Sequence, residues 1–338
     1  MTTKEILERL VNHQDLSEAE AELLMGRMMG GDLSPVETSA LLIALRSKGE
    51  STQELTAFAK VMRAHATPIA VEGDLIIDTC GTGGDGSGSY NLSTTVALLL
   101  AGGGYKVAKH GNRSMTSQSG SADLLEALGV KIDLSPIQVS TLIAETGFGF
   151  LFAPALHAAM KHVVPIRREL AIRTVFNLLG PLTNPAGANV QIIGLFDKNR
   201  VGQIAQVLAA LGSKAAYVVA GEDGLDEVSI GGMTQVARLK DGKTESFLFD
   251  PTAHGFALAG LDQIKGGSPK DNAEITLSLL SGQTVGPKRD LLAINAGFAI
   301  SAAKDCGIKE GIEEAQGLID SGKGLLAVQR IRTLSHEV

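Results

Sequence analysis

The stretch Ile76-Ile77-Asp78-Thr79-Cys80-Gly81-Thr82-Gly83-Gly84-Asp85-Gly86-Ser87-Gly88-Ser89-Tyr90-Asn91-Leu92-Ser93-Thr94-Thr95 runs from a short apolar strand into a glycine-rich loop that opens onto the apolar helix Thr95 to Ala101. Glycines let backbone N–H groups approach an anion closely, and a helix N-terminus adds unpaired donors and partial positive charge. That charge contributes only about 0.3–1 kcal/mol at an exposed site, so the number of donors must carry the affinity. Ser87, Ser89, Asn91, Ser93, Thr94 and Thr95 supply them, which a tight turn using glycine only for its backbone freedom would not need. The loop has no Gly-x-x-x-x-Gly-Lys-Ser/Thr, and its glycines do not fit Gly-x-Gly-x-x-Gly followed by a ribose-binding acid.

A second constellation, Lys109-His110-Gly111-Asn112-Arg113-Ser114-Met115-Thr116-Ser117, follows the strand-like Tyr105 to Ala108 and precedes Gly120, Ser121 and a helix from Ala122 to Leu128. Two cations, a histidine, an amide and hydroxyls so close together do not read as core. Alone they describe a solvated basic loop. After a first strand–loop–helix unit, the second places both loops at one carboxyl edge of a parallel sheet, where ligands of open α/β sheets bind. Lys109 and Arg113 are then the expected counter-ions of a polyphosphate.

The two loops together resemble those of the anthranilate phosphoribosyltransferase family, whose pattern is Gly-Thr-Gly-Gly-Asp followed by Lys-His-Gly-Asn-Arg. The likeness continues through His157-Ala158-Ala159-Met160-Lys161, Arg167-Arg168-Glu169-Leu170, the run Arg173 to Pro185, and Asp226-Glu227, and so spans nearly the whole chain in order. The resemblance implies that Gly81, Gly84, Asp85, Ser89, Asn91, Leu92, Ser93 and Thr94 hold phosphoribosyl pyrophosphate from one side. Lys109, His110, Gly111, Asn112, Arg113, Ser114, Met115, Thr116, Ser117 and Ser121 hold it from the other. It further implies that Gly81, Asn112 and Arg167 contact anthranilate with His110 beside it, and that Ser93, Asp226 and Glu227 hold magnesium. Three positions depart from the commonest pattern: Ser89 in place of Thr, the run Ser114-Met115-Thr116, and Ala171 where Gly usually follows Arg-Arg-Glu-Leu.

The residue types suit that chemistry. Phosphoribosyl transfer breaks a C–O bond at an anomeric carbon through an oxocarbenium-like state, and the departing pyrophosphate is the charge to be stabilised. Mg²⁺ prefers hard oxygens and usually binds through one or two carboxylates plus substrate phosphates. Read alone, Asp226-Glu227 after Gly221-Glu222-Asp223-Gly224 is an acidic turn; read with the loops it is the metal pair. A carboxylate on the acceptor suits a planar guanidinium, from Arg167 or Arg168, and the resemblance selects Arg167. No catalytic base is assigned: His110 is either the acceptor of the amine proton or a hydrogen-bond donor.

The formal charge of −7, from 30 basic and 37 acidic residues, gives no footprint for nucleic acid. Cys80 and Cys306 form neither a disulfide framework nor a metal-site spacing. Met1 to Glu5 lacks a signal-peptide apolar core and no 18-residue apolar run exists, so a cytoplasmic protein without a membrane partner is expected. The family habit adds a homodimer through the helical domain.

Residues 1–66 read as helices: Ser17-x-x-Glu20, Ser34-Pro35-x-Glu37 and Ser51-x-x-Glu54 are capping boxes, and Leu41, Leu42, Leu45, then Leu55, Phe58, Met62 form apolar stripes. From 74 to 338 the pattern is an α/β domain with a mainly parallel central sheet of the nucleoside phosphorylase/phosphoribosyltransferase type. Its strands are expected at Leu75 to Ile77, Tyr105 to Ala108, Gly149 to Phe152, Val190 to Leu195 and Ala216 to Ala220, with a hairpin around Lys240-Asp241-Gly242-Lys243. The resemblance returns the segment from about 160 to 180 to the helical domain. Two rival readings share this fold. A pyrimidine nucleoside phosphorylase would lack the Asp-Glu metal pair and the Lys-His-Gly-Asn-Arg loop, and a non-catalytic nucleic-acid-binding protein would show a basic face.

Overall fold

The computed structural model describes residues 1–114 and 118–338. Four helices open the chain: α1 (Thr3–Val11), α2 (Glu18–Gly30), α3 (Pro35–Lys48) and α4 (Thr52–His65). The three capping boxes read from the sequence start α2, α3 and α4, and a fourth, Thr2 with Glu5, starts α1. In each, a side-chain oxygen and a carboxylate satisfy N–H groups that the first turn leaves unpaired. The carboxylate of Glu54 also accepts from the backbone of Leu16 at 2.9 Å and from Lys48 Nζ at 2.8 Å, which ties α3 and α4 to the connection before α2 at one buried point.

The sheet has seven strands: β1 (Ile77–Gly81), β2 (Val107–Gly111), β3 (Phe148–Phe152), β4 (Val190–Gly194), β5 (Ala215–Gly221), β6 (Thr234–Lys240) and β7 (Lys243–Phe249). Their spatial order is β3-β2-β1-β4-β5-β6-β7, parallel from β3 through β5 and antiparallel from β5 to β7. The expected hairpin is β6–β7; Asp241 and Gly242 at its tip have φ of 49° and 73°, the backbone of a two-residue turn that follows strand twist. The chain runs outward from β1 to β3 and then returns to the other side of β1 as β4. Ligands of open α/β sheets bind beyond the carboxyl ends of strands where the order reverses, here at β1 and β4.

Helix α5 (Leu92–Gly102) lies on one face of the sheet, apolar all round because it is buried all round: Ala97 to Leu100 have no exposed surface. With Pro287–Lys304 and other carboxyl-terminal helices it forms one core. The second core joins α1 to α4 with Val163, Ile166, Val175, Phe176 and Leu179, and continues through helix Val201–Ala210 onto the opposite sheet face at Ile193 and Val218. Segment 163–182 thus packs on the helical bundle while standing over the carboxyl ends of the strands.

Candidate active site

The first two strands run further than their apolar residues suggest. Sequence patterning ends them at Ile77 and Ala108, whereas β1 reaches Gly81 and β2 reaches Gly111, so Asp78, Thr79, Lys109 and His110 are strand residues. All four are buried, and each satisfies the others' polar groups or those of a neighbour. Asp78 Oδ1 accepts the His110 N–H at 3.2 Å and its Oδ2 accepts from Asn184 Nδ2 at 2.8 Å. Asn184 Nδ2 also donates to the Ala108 carbonyl at 2.8 Å, while Lys109 Nζ donates to the Thr79 carbonyl at 2.6 Å and to Ser93 Oγ at 3.3 Å. Burial pushes the Asp78 carboxyl up to about 6 against the pull of the Lys109 charge, and pushes Lys109 down. A hydrophobicity pattern cannot see a strand end stabilised in this way.

The acidic pair reaches the site because two glycines let it. Gly81 and Gly194 face each other at the last register position of β1 and β4. A Cβ on Gly194 would stand 1.5 Å from the Asp226 carbonyl oxygen, and one on Gly81 2.5 Å from Asp226 Oδ2. Over this gap Asp226 Oδ2 accepts the Gly83 N–H at 2.7 Å, and the Glu227 carboxylate faces the backbone N–H of Ser93 in the first turn of α5. Burial first, and then the facing Asp85 carboxyl, raise Asp226 to about 7; burial and Asp226 raise Glu227. Asp85 Oδ2 and Thr94 Oγ1 are buried without a hydrogen-bond partner. Carboxylates this crowded call for a cation, and hard oxygen donors suit Mg²⁺. Among the described residues no three Asp, Glu, His or Cys side chains form a cage by themselves, which fits an ion that takes its remaining oxygens from substrate and water.

The rest of the first loop is pinned from both sides. The Ser89 N–H donates to Ser87 Oγ at 3.1 Å, and Ser89 bridges Lys265. Asn91 Nδ2 donates to the Ser119 carbonyl at 3.0 Å while Ser119 Oγ donates to Asn91 Oδ1 at 2.8 Å, which holds the two loops together. Leu92 is buried as the first residue of α5.

In the second loop one expectation needs correction. Arg113 does not face the first loop as a counter-ion: its guanidinium lies on the surface against Asp123 at 3.1 Å and Glu126 at 2.5 Å, where a carboxylate pair satisfies the fork of donors. Lys109 alone of the two cations points inward. His110, left open between proton acceptor and hydrogen-bond donor, has both ring nitrogens engaged. Its Nδ1 lies 3.2 Å from the Gly180 carbonyl, which can only accept, so Nδ1 carries the proton; Nε2, 3.1 Å from His157 Nε2, then accepts from that ring. Burial, with His157 beside it, lowers His110 to about 3, so the pair stays neutral. Asn112 Oδ1 accepts the Arg113 N–H at 2.7 Å and the Ser114 N–H donates to Asp123 at 3.1 Å. Gly111 ends β2 against Ser121, the first residue of helix α6 (Ser121–Ala127). Met115, Thr116 and Ser117 lie outside the described residues.

Arg167 comes from helix Val164–Leu170, which packs on α3 of the helical bundle. Its guanidinium stands 5.3 Å from the centre of the Phe176 ring, is half-buried, and has no ion pair among the described residues; desolvation lowers its pKa. A cation kept partly dry in this way gains from any carboxylate brought beside it. Arg168 is exposed. Ala171 ends the helix at φ 51°, the left-handed cap that explains a glycine habit there. Sequence reasoning passed over Asp78, Asn184, Gly194 and the hydrogen bond from His157. For Asp78 the signal was available: an acid directly after Ile76-Ile77 in a buried strand needs a partner.

Residues 4–66 match the glycosyl transferase family helical bundle domain and residues 73–325 its a/b domain. The chain is 48% identical over 336 residues to the anthranilate phosphoribosyltransferase of Symbiobacterium thermophilum, covering 99% of this chain and 98% of that one. The crystal structure of the Thermus thermophilus enzyme of the same name superposes with a TM-score of 0.92 at 42% identity, covering 98% and 99% of the two chains. The Saccharomyces cerevisiae enzyme in complex with PRPP and Mg has a TM-score of 0.89 at 29% identity, covering 99% and 98%. With this site at the reversal of its sheet and this likeness along its whole length, the chain belongs to the anthranilate phosphoribosyltransferase family.

Proposed function

We propose that the protein transfers the phosphoribosyl group of 5-phosphoribosyl 1-pyrophosphate to the amine of anthranilate in tryptophan biosynthesis, as a Mg²⁺-dependent, cytoplasmic homodimer. The observation that carries this reading is the meeting at one sheet edge of the donor-rich loop before α5 and the raised carboxylates of Asp226 and Glu227, and it is supported by the Arg167 cation, which has no ion pair among the described residues. In the reaction the anomeric C–O bond to pyrophosphate breaks, the N–C bond to anthranilate forms, and the proton lost by the amine passes to the departing pyrophosphate or to water.

Gly81, Gly84, Ser89, Asn91 and Thr94 with the first turn of α5 cradle the phosphates, with Asp85 and Leu92 shaping that loop. Lys109, held dry beneath them, supplies the inward charge. Asp226, Glu227 and Ser93 Oγ are the oxygens that would hold Mg²⁺, which when bound neutralises the departing pyrophosphate. Arg167 fixes the anthranilate carboxylate, with Asn112 and the Gly81 backbone beside the ring. Gly111, Asn112, Ser114 and Ser121 close the second side. Such a site works by positioning and electrostatics; a weak nucleophile attacking an oxocarbenium-like carbon needs no strong base, in keeping with a neutral, fully engaged His110. A rate gain of a million-fold asks about 8 kcal/mol of these effects. Neither rival reading is favoured: the acidic pair and the Lys109 loop are present, and the charge balance is acidic.

The test is pyrophosphate release with each substrate omitted in turn. One pyrophosphate per anthranilate consumed is expected, with release only when both are present. Release without anthranilate would replace transfer by hydrolysis. Light scattering should return the mass of two chains.

A further inference from the structure

Arg173 occupies a position that the proposed reaction does not explain. It follows the left-handed turn at Ala171 and leaves the helical-bundle segment toward the sheet. Its guanidinium lies 3.6 Å from the centre of the Phe196 ring, close enough for a flat stack, and donates to the carbonyl of Gly84 in the middle of the first loop. Arg46 of α3 in turn donates to the Arg173 carbonyl. Arg173 has no ion pair among the described residues. A continuous chain of contacts therefore runs from the helical bundle through Arg46 and Arg173 to the phosphate cradle.

The electrostatics of the loop give this chain a purpose. A backbone loop binds an anion with its N–H groups, and any carbonyl turned toward the anion repels it. Gly84 has φ 73°, so its peptide groups are free to flip in a way a side chain would forbid. A donor on the Gly84 carbonyl fixes one orientation. A charged donor does so more strongly than a neutral one and leaves a net positive charge beside the site. Thr82 and Gly83 are fixed separately: Thr82 Oγ1 accepts the Phe196 N–H at 3.2 Å and the Gly83 N–H is on Asp226. The Phe196 residue that stacks on Arg173 is thus also the one that anchors Thr82.

We propose that Arg173 is a positioning residue for the pyrophosphate half of the first substrate: clamped between Phe196 and Arg46, it holds the Gly84 peptide in the anion-accepting orientation and couples loop geometry to the seating of the helical bundle. This rests on the proposed transferase reading, and the measurement separates the two. Wild-type turnover of anthranilate tests that reading; binding of phosphoribosyl pyrophosphate with Mg²⁺ to the wild type, R173A, R173K and R46A, by calorimetry without anthranilate, tests the clamp. R173A should weaken binding about tenfold or more, converting to about 1.4 kcal/mol, and raise its KM in parallel while the anthranilate KM stays within about twofold. R173K keeps the charge without the flat stack and should recover part of the loss. R46A, which loosens only the backbone anchor, should show a smaller loss of the same kind. Wild-type binding by R173A, or an equal rise in both KM values, overturns the clamp. So does a loss confined to thermal stability with both KM values intact.

Discussion

The proposed role of Arg167 is to select the acceptor. Its partly dry guanidinium has no counter-ion among the described residues, so an incoming carboxylate meets little competition. Arg167→Ala should raise the anthranilate KM about 10- to 100-fold, the worth of one charged hydrogen-bonded contact of roughly 1.5–3 kcal/mol, and leave the KM for phosphoribosyl pyrophosphate nearly unchanged. Steady-state kinetics in both substrates would show it, and a matched rise in the two constants would remove Arg167 from that role. At Gly194 a Cβ would stand 1.5 Å from the Asp226 carbonyl, so Gly194→Ala must displace the acidic pair. The expected result is a steep rise in the Mg²⁺ concentration needed for half-maximal turnover, read by titrating the metal; an unchanged requirement would show that the pair does not hold it. Residue types in a sequence set what chemistry is available, but not which way each side chain points. Lys109 and Arg113 look alike as loop cations, yet one is buried against Thr79 and Ser93 and the other is paired outward with Glu126.

Ala171→Gly belongs to the scale of the element. Alanine in the left-handed cap costs about 1–2 kcal/mol, part of which glycine gives back through its freer unfolded chain. The variant should melt about 1–2 °C higher by calorimetry, given that 1 kcal/mol shifts larger domains by only a few degrees. A lower melting point would mean that the cap is not strained. Helix starts in this chain were legible because a capping box is a local device: Ser17, Ser34 and Ser51 find their glutamates three residues on, whatever lies elsewhere. The hairpin at Asp241-Gly242 was legible for the same reason. The ends of β1 and β2 were not. Asp78 is stabilised by Asn184, 106 residues away, and Lys109 by Thr79 on the neighbouring strand, so the polar residues that terminate an apolar pattern are part of the strand.

At the scale of the molecule, the candidate site lies where the strand order reverses at β1 and the chain returns over it twice, once with Arg173 on Gly84 and once with Asp226 against Gly81 and Gly194. The loops that carry the family resemblance were readable in sequence; the crossing at Gly81 and Gly194 was not, since it depends on a pairing of strands 113 positions apart. Crowding the carboxylates there has a pH signature. Burial and Asp85 hold Asp226 at about 7, and burial with Asp226 holds Glu227 above the ordinary range. Between about pH 4 and 7 the folded chain keeps protons that the unfolded chain has released, so these acids make the ligand-free protein less stable as pH rises through that interval. A cation competes with the same protons, and its affinity rises as they leave. Melting curves with Mg²⁺ and inorganic pyrophosphate should therefore show a larger ligand-induced rise at about pH 8 than at about pH 6; the reverse order would place the metal elsewhere. The most direct test of the whole account is the fluorescence of anthranilate after the purified protein is mixed with phosphoribosyl pyrophosphate, with and without Mg²⁺. The account predicts a decay that requires both the sugar phosphate and the metal. Undiminished fluorescence, with both substrates recovered intact, would contradict it.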